Sequence, residues 1–144
     1  MYPGVYADQF PDRPAVIQAE TGEITTYKQL HEGAVRLSNV LRSAGFQPGD
    51  HIAICMENHP RYLEVIRGCH YAGLVYTACS SRLTKAELIY IINDCAAKGF
   101  ITSKYKADQA LEVADDIPNA TLRLMLGGTV AGYDSYEDTV AHAS

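Results

Sequence analysis

Cys69-His70-Tyr71-Ala72-Gly73-Leu74-Val75-Tyr76-Thr77-Ala78 runs on as Cys79-Ser80-Ser81-Arg82-Leu83-Thr84-Lys85-Ala86-Glu87-Leu88, and this stretch decides the fold. Ahead of it, Tyr62, Ile66, Cys69 and Gly73 recur at helical spacing with Leu63 beside them, so one face is apolar. Pro60 is expected in the first turn of that helix, where its missing N–H costs nothing, with Asn58 or His59 as the cap. Gly73 suits the positive φ that a helix C-terminus commonly needs. Leu74 to Ala78 is mostly apolar without alternation, the pattern of a strand covered on both faces. Thr84 with Glu87 three residues on is a capping box, and Leu88, Ile91, Ile92 and Cys95 give the next helix its stripe. Helix, two-sided strand and helix in succession predict an α/β fold: a mostly parallel sheet with helices on both faces.

Upstream, Tyr2 to Phe10 is expected as a short amphipathic helix ended by Pro11-Asp12-Arg13-Pro14. Ala15 to Ala19 and Glu23 to Thr26 read as strands joined by a turn at Thr21-Gly22, hence an antiparallel hairpin ahead of the parallel sheet. Thr26 and Gln29 form a second capping box, opening a helix with the face Tyr27, Leu30, Ala34, Leu37, Leu41 and Ala44. Gly45 closes it, and Pro48-Gly49-Asp50 leads into the strand His51 to Met56. Downstream, Lys98-Gly99 is expected as a turn and Phe100 to Thr102 as a strand. Ser103 then caps a helix carrying Ala107, Ala110, Leu111 and Ala114, which Pro118 ends. Leu122 to Leu126 is the last clear strand, and Ser135 caps a final helix from Tyr136 to Ala143. No linker or repeat interrupts the 144 residues, which read as a single domain.

A net charge of −5 argues against a general nucleic-acid binder, because such proteins carry basic stripes. No apolar run approaches the roughly 20 residues of a membrane helix, and no signal-peptide pattern opens the chain. Cys55, Cys69, Cys79 and Cys95 lack metal-like spacing, so buried free thiols in a cytoplasmic protein are expected, rather than disulfides or zinc.

Gly127-Gly128-Thr129-Val130-Ala131-Gly132 follows a strand, but Tyr133-Asp134 separates it from the helix whose N-terminus would hold a phosphate. It reads as a surface turn. The five histidines are scattered without metal-ligand spacing. Cys79, Ser80 and Ser81 lack a Gly-x-Ser-x-Gly elbow and a neighbouring base. One constellation remains. Ligands of open parallel sheets bind outside the carboxyl ends of the strands. Two successive loops there, Cys79-Ser80-Ser81-Arg82 and Ser103-Lys104-Tyr105-Lys106, would bring Ser80, Ser81, Arg82, Lys104 and Lys106 to one rim. Such a cluster suits a phosphate, against the plainer reading of solvated helix-start residues.

In order and spacing the chain resembles the N-terminal part of the adenylate-forming superfamily: acyl-CoA synthetases, aryl-CoA ligases, peptide-synthetase adenylation domains and luciferases. Asp12-Arg13-Pro14-Ala15 leads to Thr26-Tyr27-Lys28-Gln29-Leu30, similar to the first core motif. Gly45 to Ile54 matches the G-x-x-x-G-D-x-V-A strand entry, and Tyr71-Ala72-Gly73-Leu74-Val75-Tyr76 the A-G-A-V-Y of the second core motif. Arg82-Leu83-Thr84 with Glu87 to Ile92 matches R-L-T-x-x-E-L-x-Y-I. Departures are Ala78 where proline is usual, Ser80-Ser81 where Asn-Pro is usual, and Gln29 in place of an acid.

Within the superfamily the look is of a fatty-acyl-CoA synthetase. The resemblance implies a fatty (carboxylic) acid substrate, with ATP, Mg²⁺ and CoA as cofactors of a longer parent enzyme whose N-terminal subdomain is residues 1–144. The parent forms an acyl-adenylate and then the acyl-CoA. It also implies that the phosphate loop, the ribose-binding acid and the catalytic lysine lie later in the family's chain. The segment alone should then be inactive and bind no cofactor tightly. Ser80, Ser81, Arg82, Lys104 and Lys106 would border the nucleotide end of CoA. Peripheral membrane association and homo-oligomerisation stay open, as does the alternative of a freestanding nucleotide-binding or dimerisation module.

Overall fold

The computed structural model describes residues 2–143. Both threonine capping boxes form. Thr26 Oγ1 accepts from the Gln29 N–H at 3.2 Å, and Gln29 Oε1 accepts from the Thr26 N–H at 2.9 Å. Thr84 and Glu87 repeat the exchange at 3.3 and 3.2 Å. The elements in order are α1 (Pro3–Gln9), β1 (Pro14–Ile17), β2 (Ile24–Thr26), α2 (Tyr27–Ser43), β3 (His51–Cys55), α3 (Tyr62–Tyr71) and β4 (Val75–Ala78). Then come α4 (Lys85–Asp94), β5 (Gly99–Ser103), α5 (Ala107–Val113), β6 (Leu122–Leu126), β7 (Asp134–Ser135) and α6 (Tyr136–Ala141).

β1 and β2 pair antiparallel as a separate hairpin, and the other five strands form a parallel sheet in the order β4-β3-β5-β6-β7. Alternation along the strands feeds two cores. Ile52, Ile54, Ile101, Leu124 and Leu126 pack under α2, α3 and α6 with Leu37, Leu41, Val65, Cys69, Tyr136 and Val140. Ala53, Cys55, Phe100 and Met125 face α4 and α5 through Leu88, Ile92, Ala110 and Val113. The predicted α/β class, with helices on both faces and a hairpin ahead, is the observed one. Gly73 closes α3 at φ 77°, where a Cβ would also meet Pro48 at 3.2 Å.

Several local expectations are corrected. β4 is parallel, but it is an edge strand with Val75 46% exposed, not a strand covered on both faces. Apolar composition reports a preference for burial and not the position in the sheet. α3 starts at Tyr62, after Pro60, because the His59 ring accepts the Arg61 N–H through Nδ1 at 3.0 Å and forms a turn there first. The hairpin turn is wider than Thr21-Gly22: Gln18 N–H bonds Glu23 O at 2.8 Å. The turn before β5 lies at Ala96, the one non-glycine with positive φ (54°) among the described residues. Lys98 N–H already bonds His51 O there, and Gly99 belongs to the strand. Leu111 is exposed, and α5 buries Val113 beside the expected Ala110. The two-residue β7 was not foreseen, being too short to carry a periodicity.

All four cysteines are free, and Cys55, Cys69 and Cys79 are buried. Burial pushes the Cys69 and Cys79 thiols up to about 12, which keeps them protonated and unreactive. Among the described residues, no helix is long and apolar enough to cross a membrane and no group of side chains could hold a metal ion.

Candidate functional site

The chain leaves β3 by way of α3, on one face of the sheet, for its outer neighbour β4. It leaves β4 and β5 by way of α4 and α5, on the other face, for strands on the far side of β3. The loops after β3 and β5 therefore diverge to opposite faces, and adjacent strands whose loops diverge open a crevice at their carboxyl ends. A crevice of about 790 Å³ lies there, lined by residues of the β3, β4 and β5 loops and of the β1–β2 turn.

Its two walls differ in charge. On one side, Glu57, Asn58 and His59 follow β3, and Gln18 and Glu20 of the hairpin turn join them, with Gln18 Nε2 donating to Asn58 O at 3.3 Å. On the other stand Ser81 and Arg82 after β4 and Tyr105 and Lys106 after β5, tied by Lys106 Nζ donating to Ser81 O at 2.7 Å. Buried Ser103 donates its hydroxyl to Glu57 Oε2 at 2.5 Å, linking the end of β5 to the loop after β3. The Arg82 guanidinium has no hydrogen bond or ion pair among the described residues. Lys106 keeps donors beyond the one bond it makes. The basic wall thus retains capacity for an anion with several oxygens.

Three of the five residues expected at the rim, Ser81, Arg82 and Lys106, line this crevice. Ser80 does not line it; its hydroxyl accepts the Arg82 N–H at 3.2 Å and shapes the loop. Lys104 turns to the opposite side of its own loop, where Nζ donates to Thr129 O at 3.0 Å and its stem lies along Gly128. Ser103 is not a helix cap either, because its hydroxyl is spent on Glu57 and a 3₁₀ turn, Lys104–Lys106, precedes α5. Glu57 and Gln18 were missed. Glu57 was open to the strand-end rule that found the basic loops, whereas nothing in the sequence places the hairpin beside this rim.

In the glycine turn after β6 the Gly127 N–H donates to Glu137 Oε1 at 2.7 Å, so that donor is taken by the chain's own carboxylate.

A second polar group is buried between helices. Glu64, 6% exposed, accepts from the Tyr136 hydroxyl at 2.6 Å and from Arg61 Nε at 3.1 Å, and the Arg61 guanidinium lies 5.1 Å from the Tyr136 ring centroid. Burial, then the adjacent Glu64 carboxylate, raise the Tyr136 hydroxyl well above the ordinary phenol range. A Cβ on Gly33 would sit 2.0 Å from Glu64 Oε1, so α2 can approach α3 here only as glycine.

The family described as AMP-binding enzyme matches residues 5–141. A feruloyl-CoA synthase of Amycolatopsis sp is 37% identical over 93 residues, which are 65% of this chain and 19% of that protein. The fatty acid–[acyl-carrier-protein] ligase ScoC of Streptomyces coeruleorubidus is 33% identical over 93 residues, 65% of this chain and 18% of its own length. Among solved structures, a long-chain-fatty-acid CoA ligase of Rhodopseudomonas palustris CGA009 superposes with a TM-score of 0.88 at 22% identity. That match covers 99% of this chain and 35% of the other. The anthranilate CoA ligase AuaEII, solved with anthranoyl-AMP, gives 0.87 at 18% identity over 99% of this chain and 28% of its own. The chain thus spans about a fifth of the length of the curated relatives it matches.

Proposed function

This chain belongs to the AMP-binding enzyme family, and we propose that it is the N-terminal subdomain of a longer ATP-dependent carboxylic acid–CoA ligase acting on a fatty acid. In that reaction the substrate carboxylate oxygen attacks the ATP α-phosphorus, pyrophosphate leaves, and Mg²⁺ neutralises phosphate charge. The CoA thiolate then attacks the acyl carbon of the mixed anhydride and AMP departs with the bond electrons.

The part assigned to these residues is acceptor binding. The observation that carries it is the open crevice where Arg82 stands unpaired beside Lys106 and Ser81. Arg82 and Lys106 hold the 3′-phosphate of CoA, and the Ser80 hydroxyl orients the Arg82 backbone. The glycine turn after β6 is not assigned to the ATP phosphates, since its Gly127 N–H is already taken by Glu137. On this reading residues 1–144 by themselves form no acyl-adenylate.

In the whole protein, Arg82→Ala raises the KM for CoA by about tenfold, the cost of one charge-assisted phosphate contact, and leaves pyrophosphate release with ATP and acid intact. Unaltered CoA kinetics would refute the assignment.

A further inference from the structure

Tyr105 is the exposed aromatic side chain at the crevice, and the fold gives no reason for it. It is 79% exposed, and its ring makes no stacking, hydrogen-bond or cation contact among the described residues. Isolated exposed aromatics are ordinary. Tyr90, 67% exposed on α4, is one, for it lines neither the crevice nor the cavity beside it. Tyr105 lines both: the crevice and an adjoining cavity of about 440 Å³ between the start of α4 and α5.

Its backbone is also fastened on both sides. Lys104 bonds Thr129 O at 3.0 Å and Lys106 bonds Ser81 O at 2.7 Å, so the lysines flanking it tie the 3₁₀ turn to the loops after β6 and β4. An aromatic ring on a tethered backbone gives up little further freedom when another ring settles on it. A flat apolar face held in water, next to cations with donors to spare, suits a planar base attached to a phosphate.

We propose that the Tyr105 ring is the stacking platform for the base of a nucleotide whose phosphate is held by Arg82 and Lys106. This rests on the crevice being the CoA site, and it adds the group that receives the base. Stacking needs only a π-face, so the platform recognises a base by its area and not by a hydrogen-bond pattern.

The test compares two acceptors in the whole protein: CoA, and 4′-phosphopantetheine, which has the same thiol arm without the nucleotide. Tyr105→Ala is expected to raise the KM for CoA on the order of tenfold and leave that for phosphopantetheine where it was. Tyr105→Phe keeps the ring and should preserve the original ratio of the two constants. An equal rise for both acceptors, no rise for CoA, or Tyr105→Phe as damaging as Tyr105→Ala would overturn the platform. Arg82→Ala, measured alongside, separates the two ideas. A CoA effect from Arg82 without one from Tyr105 removes only the platform. No effect from either removes the crevice from acceptor binding and the platform with it.

Discussion

The Arg61–Glu64–Tyr136 group and the Arg82–Lys106–Glu57 rim contain the same kinds of side chain, yet they are built to opposite ends. In the first, both Glu64 oxygens are engaged, at 2.6 Å by Tyr136 and at 3.1 and 3.3 Å by Arg61, and the carboxylate is buried between α2, α3 and α6 while Arg61 stays partly solvated. At the rim, Arg82 has no side-chain partner among the described residues, and Lys106 makes one bond there where three are open to it. Charge that is consumed internally holds helices together; charge left with capacity is available to a ligand. The two lysines of one loop repeat the contrast, with Lys104 closing the glycine turn and Lys106 facing the crevice.

The sharpest way to break this contrast is to compare stability losses. Glu64→Ala should cost most, about 2–4 kcal/mol, because it strands the Arg61 charge and the Tyr136 hydroxyl; the figure allows for Arg61 being partly solvated. Urea unfolding reads it directly, and a loss within the range of an ordinary surface substitution would mean the group is not structural. Gly33→Ala should follow at about 1–3 kcal/mol, because the new methyl group displaces a carboxylate that two partners hold in place. Arg82→Ala should change stability by no more than about 0.5 kcal/mol. If it unfolds the chain as readily as Glu64→Ala, the rim is architecture.

A pH series sharpens the same point. Burial raises Tyr136 well above the usual phenol value and pushes Tyr71 and Tyr133 up to about 12. A folded pKa above the unfolded value of about 10 means that this stability is fully present below pH 10. It is lost as pH climbs through the folded values. The thermal unfolding midpoint should therefore fall from about pH 10 upward, less steeply in Tyr136→Phe, and an identical alkaline slope in that variant would place Tyr136 outside the linkage.

Both capping boxes, the Gly73 closure and the alternation of strands with helices after Gly49 were legible because each is local: the interacting groups lie within four residues. The rim was half legible. The strand-end rule named Ser81, Arg82 and Lys106 without any coordinates, but it also swept in Ser80 and Lys104. A rule about strand ends says which loop a residue is on and not which side of the loop its side chain takes. The edge position of β4 was misread for a related reason. Val75 is apolar, and only the order of strands decides whether an apolar residue has a neighbour.

By itself, then, the order of residues determined the α/β class, the helix starts at Thr26, Thr84 and Ser135 and the family likeness, all of which follow from short-range backbone chemistry and periodicity. Tertiary structure alone decided that Glu64 meets Tyr136 across 72 positions, that Gln18 meets Asn58 across 40, and that Lys104 and Lys106 part company. Those outcomes depend on which strands become neighbours. That is settled by the collective burial of two cores and is encoded in no single stretch of the chain.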